Sequence, residues 1–169
     1  MRKILQRLSV LFLAAFMAVC CFSCAFLKQP KTFSKAGASI TLTESFVEKE
    51  LVSQTAYFES ADMIVTMLKE EFSMMPGLSS INEEEYARLA IQLNGMDVPY
   101  ATSEDGYAYF EFQKTVSGND YSYYATCFKA NDAFWLIQFG CFTKNYEKMK
   151  PEMQKYAKSV VFEGDNDVV

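Results

Sequence analysis

Two apolar patterns divide the chain. Residues 8–22 are uncharged and mostly apolar, without a period, whereas beyond residue 32 the apolar positions recur at spacings of two or of three and four. Ser39-Ile40-Thr41-Leu42-Thr43 alternates, the mark of a half-buried strand. Residues 55–59 and 63–69 predict two more strands, broken at Ser60-Ala61-Asp62, and the second is read as strand on Ile64-Val65-Thr66. Met74-Met75-Pro76-Gly77 then reads as a loop.

A well-punctuated helix follows. Asn82 is a good N-cap and Glu85, three residues on, completes a capping box. Ile81 and Tyr86 stand where a hydrophobic staple forms, and Glu83-Glu84-Glu85 suits the positive end of the helix dipole. Tyr86, Leu89, Ala90 and Leu93 repeat at helical spacing, and Gly95 supplies the stop.

Three strands in hairpin order come next. Residues 107–115 lead through Ser117-Gly118-Asn119-Asp120 into 121–129, which turn at Asn131-Asp132 into 134–142. Gly-Asn and Asn-Asp tolerate the positive φ of tight hairpin turns. A two-residue second turn puts Tyr124, Thr126, Phe128, Trp135, Ile137, Phe139 and Cys141 on one face. The other face holds Tyr123, Ala125, Cys127, Phe134, Leu136 and Gln138. Both are largely apolar, which predicts a sheet covered on both sides. A last helix spans 146–159, with Tyr146, Met149, Met153, Tyr156 and Val160 on one side. Pro151 falls inside it, so a short turn is expected first and the main helix from Pro151.

The non-periodic run has a different meaning. Arg2, Lys3 and Arg7 precede it and Ser23-Cys24 closes it, the layout of an export signal. At about 15 residues it falls short of the about 20 that a spanning helix needs. The closing cysteine points to a lipoprotein signal, with residues 1–23 removed and Cys24 acylated on the outer face of the cytoplasmic membrane. Stable anchoring then takes more than one acyl chain. Ser23 suits that motif, while Cys21 stands where Leu, Val or Ile is usual. Ordinary cleavage after Ala25, with secretion, is the alternative. Residues 24–32 read as a tether, 33–162 as one domain and 163–169 as an acidic tail that frays.

Removing the signal changes the cysteine and charge arithmetic. Cys21-Phe22-Ser23-Cys24 is a C-x-x-C only inside an export segment, so it carries no redox or zinc reading. Cys127 and Cys141 remain; pairing opposite Leu136 and Ser122 keeps them beyond the ~5.5 Å Cα spacing of a disulfide. Two free, half-buried thiols are expected. Loss of three basic residues takes the formal net charge from −5 to −8. That argues against nucleic acid as a partner.

Four segments carry a resemblance. They are residues 38–46, Thr55-Ala56-Tyr57-Phe58, residues 133–139 around Phe134-Trp135-Leu136, and residues 156–162. Together they resemble the PsbP-like fold in its bacterial exported lipoprotein form, similar to DcrB-type proteins. The resemblance covers nearly the whole mature chain and implies an α/β (α+β) domain: a central antiparallel sheet of about six strands flanked by helices on both faces. Other members of that fold are accessory or adaptor proteins, one supporting photosystem II and one binding a small GTPase. No functional motif of either matches a position here.

The residues offer little catalytic chemistry. There is no histidine, which removes Ser-His and Cys-His pairs and the usual zinc sites. No phosphate loop, dinucleotide fingerprint or nucleophile elbow occurs. Glu104-Asp105 precedes Gly106 in an expected turn, and Glu83-Glu84-Glu85 is helix-start electrostatics rather than a metal site. Glu59 and Glu111 are the strand carboxylates that could approach each other. No catalytic residue, metal or cofactor is therefore assigned. Tyrosines crowd the hairpins, where they suit strands as well as interfaces. The candidate binding surface is Tyr107, Tyr109, Tyr121 and Tyr123, with Met74 and Met75 as a second apolar patch. The expected function is a membrane-tethered, extracytoplasmic, non-enzymatic binding or accessory module for another envelope protein. A carrier of a small apolar molecule or lipid is the alternative, and a carboxylate-based enzyme comes third.

Overall fold

The structure is a computed structural model and describes residues 29–164. The export segment, Cys24 and the last five residues lie outside the described residues. Ten strands and two α-helices follow in the order β1 (Pro30–Lys35), β2 (Ala38–Thr43), β3 (Val47–Lys49), β4 (Ala56–Glu59), β5 (Ile64–Glu71), α1 (Glu83–Leu93), β6 (Tyr100–Thr102), β7 (Ala108–Val116), β8 (Asn119–Lys129), β9 (Ala133–Phe142), α2 (Tyr146–Lys158) and β10 (Val161–Phe162). Seven strands form one antiparallel sheet in the order β3-β4-β5-β9-β8-β7-β6, and β1-β2-β10 form a second. The class is α+β, as expected, with a larger sheet than the six strands expected and a small sheet besides. The unforeseen strands are short. β3 and β6 have three exposed residues each, so they carry no apolar alternation. β1 begins at Pro30, so Pro30 to Thr32, read as tether, are strand.

One face of the large sheet is fully covered. Phe58, Val65, Met67, Trp135, Ile137 and Phe139 pack against Phe33, Ile40, Leu42 and Phe162 of the small sheet and Met153 and Tyr156 of α2. Ring pairs span the layers: Phe33 on Phe58 at 4.8 Å and Phe162 on Trp135 at 5.8 Å. Ser159 ties helix to small sheet, accepting from the Thr41 amide at 3.0 Å. Glu111 anchors the front of α2, accepting from the Tyr146 hydroxyl at 2.6 Å and Lys150 at 2.7 Å.

On the other face lies α1. Its capping box forms as read: the Glu85 amide donates to Asn82 Oδ1 at 2.9 Å, and the Asn82 amide to Glu85 Oε2 at 3.1 Å. Gly95 at φ +64 and Met96 close the helix, their amides bonding Gln92 and Ile91 carbonyls at 3.0 Å. Tyr86, Ala87, Ala90 and Ile91 are buried against Phe110, Ala125, Cys127, Phe134 and Leu136. Leu93 was expected on this face but is 77% exposed, because α1 ends its contact with the sheet at Ile91.

Register agrees with the alternation: Cys127 pairs with Leu136 and Cys141 with Ser122 across the Asn131-Asp132 turn. Both thiols are free and fully buried rather than half-buried. The preceding turn is tighter than expected. Val116 pairs with Asn119, so Ser117 and Gly118 are the two loop residues, with φ of +51° and +79°. Positive φ at both positions matches the right-handed twist of the strands. Asn131-Asp132 uses no positive φ. Pro151 does not start a new helix; α2 runs unbroken from Tyr146. Pro151 and Glu147 are both exposed, so the carbonyl that loses its amide partner faces water while the buried side holds the helix.

Candidate functional site

An eleven-residue helix is too short to cover a seven-stranded sheet, and α1 leaves part of its face open. Two cross-strand rows form the floor there. The first runs Tyr57, Thr66, Gln138, Ala125, Phe110. The second runs Glu59, Ile64, Gly140, Tyr123, Phe112. A cleft of about 590 Å³ lies over them, walled by Leu51 and Gln54 of the β3–β4 loop and by Asn94 and Met96 beyond α1.

Aromatic rings shape it. Tyr123 stacks on Phe112, with centroids 4.7 Å apart and planes 6° from parallel. Gly140, opposite Tyr123, has no side chain to displace that ring. Apolar surface continues outward through Tyr121, stacked on Phe142 at 4.9 Å, to Val116. Leu51 is 45% exposed, Phe142 38% and Val116 42%. Burial raises the phenol pKa of Tyr123, and of Tyr57 too, where the Glu59 carboxylate adds to it. Both are neutral hydroxyls at physiological pH.

The candidate residues divide. Tyr121 and Tyr123 lie on the open face. Tyr107 and Tyr109 lie on the opposite one: Tyr107 is buried against Phe128 at 5.0 Å, with its hydroxyl 3.4 Å from that of Tyr124, and Tyr109 packs against Tyr124 at 5.1 Å. Tyr107 is core and Tyr109 is half-buried beside it. The register explains the split, because Tyr123 pairs with Phe112 while Tyr109 pairs with Thr126. Odd-numbered residues of β7 therefore share a face with even-numbered residues of β8. Met74 and Met75, 79% and 43% exposed, follow the far end of β5, next to the β8–β9 turn. The tyrosine pair lies level with Ile64 at its start. Tyr57, Phe112 and Gln138, central to the cleft, were not singled out from the sequence. The alternation put Gln138 on the right face and gave no sign that the face is bare.

The carboxylates do not assemble. Glu59 is on the cleft side with Lys49 at 2.5 Å, and Glu111 is on the opposite side, so they cannot act together. Asp105 pairs with Lys158 at 2.9 Å. Glu70 accepts the buried Tyr86 hydroxyl at 2.6 Å. No group of three potential metal ligands occurs among the described residues.

No family model and no curated protein matches this sequence. Solved structures do. The solution structure of cyanobacterial PsbP (CyanoP) from Synechocystis superposes with a TM-score of 0.51 at 8% identity, over 79% of this chain and 92% of that one. The fold is PsbP-like. The Saccharomyces cerevisiae Ran-binding protein Mog1p shares it, with a TM-score of 0.53 at 9% identity over 80% of this chain and 96% of that one. So does a protein of Bacteroides thetaiotaomicron, with a TM-score of 0.55 at 11% identity. There the match covers 83% of this chain and half of the other. Identities this low carry the PsbP-like fold and not its uses.

Proposed function

We propose that this chain is a non-enzymatic binding or accessory module, tethered through Cys24 outside the cytoplasmic membrane, that docks another envelope protein on the open part of its large sheet. The observation that carries the reading is the bare aromatic floor of Tyr57, Phe112 and Tyr123 beside exposed Leu51 and Phe142. Rigid aromatic side chains give large contact area at small entropic cost, which suits a docking surface. The Ran-binding protein of the same fold lends support by analogy.

The test places a photocrosslinking amino acid at Leu51 in the full-length protein in intact cells, with a second variant carrying it at Lys155, on the exposed side of α2. One saturable protein adduct from position 51 alone is expected; equal background from both positions would sink the reading. The mass of the N-terminal peptide in the same samples reports acylation at Cys24. A second reading, a carrier of a small apolar molecule, is favoured by one observation: about 590 Å³ lies within the range of about 300–1,000 Å³ usual for ligand pockets. A ligand retained in native mass spectra would support it.

A further inference from the structure

The lining of the cleft narrows what it accepts. Glu59, at the β4 end of one floor row, is paired with Lys49 at 2.5 Å, and the one charged residue that lines the cleft itself is Lys114. Lys114 forms no salt bridge among the described residues, unlike Lys49, which neutralises Glu59. Its neighbour across the strands is Tyr121, which places the charge at the β7 end of the floor. An occupant bearing a single negative group at that end is complementary; a basic one is not.

Three carboxamide side chains also line it, those of Gln54, Asn94 and Gln138; Gln113, an odd-numbered residue of β7, turns its side chain to the opposite face. Asn94 donates to the Ala90 carbonyl at 2.8 Å, whereas the side chains of Gln54 and Gln138 have no hydrogen-bond partner among the described residues. Each carboxamide offers donors and an acceptor together, the same pair that a peptide group presents. An acyl chain would leave Gln54 and Gln138 unused. The floor crosses five strands from Tyr57 to Phe110, about 19 Å at the usual strand spacing. An extended chain covers that distance in about six residues.

We infer that the cleft takes an extended, largely uncharged peptide segment of about six residues, with apolar side chains on Tyr57, Phe112 and Tyr123, its amides on the glutamines and one carboxylate at Lys114. The segment lies across the strands, so it meets no free backbone edge and the carboxamides supply its polar contacts. This inference rests on the docking reading and specifies the partner's chemistry.

The experiment uses the purified mature protein and three dye-labelled probes in fluorescence anisotropy: an eight-residue Phe/Leu/Gly peptide ending in one Glu, the same peptide ending in Lys, and labelled palmitate. The acidic peptide is expected to bind several-fold tighter than the basic one. Lys114→Glu, an exposed change that leaves the core alone, is expected to reverse that order. Gln138→Leu is expected to weaken both peptides and leave palmitate unaffected. Equal binding of the two peptides, unchanged by Lys114→Glu, would overturn the charge assignment. Palmitate binding with no peptide binding would overturn the peptide assignment for a lipid carboxylate. No binding of any probe, with the cellular adduct at position 51 intact, would overturn this inference and leave the docking reading standing; loss of both would remove the two together.

Discussion

Tyr123 lies flat across Gly140. The two are cross-strand partners, and a β-carbon at 140 would stand 2.6 Å from Tyr123 Cε1 and 3.1 Å from Ile64 Cγ1. A glycine inside a strand costs entropy and leaves a bare patch of backbone, which the ring covers. Gly140→Ala is expected to lift the ring off the floor and break its stack on Phe112. A loss of about 1–3 kcal/mol follows from such overpacking, read by urea denaturation, with an altered near-ultraviolet circular dichroism spectrum. Native-like stability and spectrum in this variant would mean that Gly140 does not seat the ring.

Tyr86 joins α1 to the sheet by two separable contacts. Its ring stacks on Phe134 with centroids 4.2 Å apart and planes 3° from parallel, and its hydroxyl donates to Glu70 at 2.6 Å. Tyr86→Phe keeps the first and removes the second, at an expected cost of about 1.5–3 kcal/mol for a bond to a charged group. Tyr86→Leu should cost more, since it removes the stack as well. A denaturation midpoint unchanged in Tyr86→Phe would show that the hydroxyl bond contributes nothing net.

Alkali is expected to unfold the protein. Burial raises the pKa of Tyr86, Tyr124, Tyr146 and Tyr156 above the ordinary 10.0, and that of Cys127 above 9.0. Each group holds its proton more tightly when folded. Their contribution is complete below the unfolded values and is lost as pH rises from about 9 toward the folded values. Equilibrium urea denaturation between pH 7 and 11 should show stability falling from about pH 9 upward. Ultraviolet titration should show these phenols ionising together with unfolding. Smooth ionisation of every tyrosine near its ordinary value without loss of structure would contradict the burial argument.

The two thiols should be silent in the folded protein. Cys127 packs with Ala125 and Leu136 under α1, and Cys141 with Ile137 and Phe139 on the opposite face. Ellman's reagent is expected to label neither under native conditions and both in urea, and oxidation should form no bond between them. Rapid labelling of the native protein would show that one layer opens readily.

Much of this architecture is legible without coordinates where a local rule operates. Asn82 and Glu85 announce a helix start because a capping box spans only four residues. The pairing of Cys127 with Leu136 follows from counting outward from a two-residue turn. Legibility fails where structure depends on remote contact. β3 and β6 exist because a neighbouring edge offers hydrogen bonds, and their exposed side chains leave no pattern. Pro151 breaks helices on average, yet the packing of Tyr146, Met153 and Tyr156 carries α2 past it.

The candidate surface divides in the same way. By itself the sequence determined which residues of each strand share a face, because side chains alternate with period two along any one strand. It also determined that both faces of the central strands are apolar. Only the tertiary structure decided that Tyr121 and Tyr123 lie on the open face while Tyr107 and Tyr109 lie on the opposite one, since that depends on the register between β7 and β8. It alone decided that the open floor of Tyr57, Phe112, Tyr123 and Gln138 is bare. An apolar strand face reads the same whether a helix covers it or not; what differs is how far an eleven-residue helix reaches across seven strands.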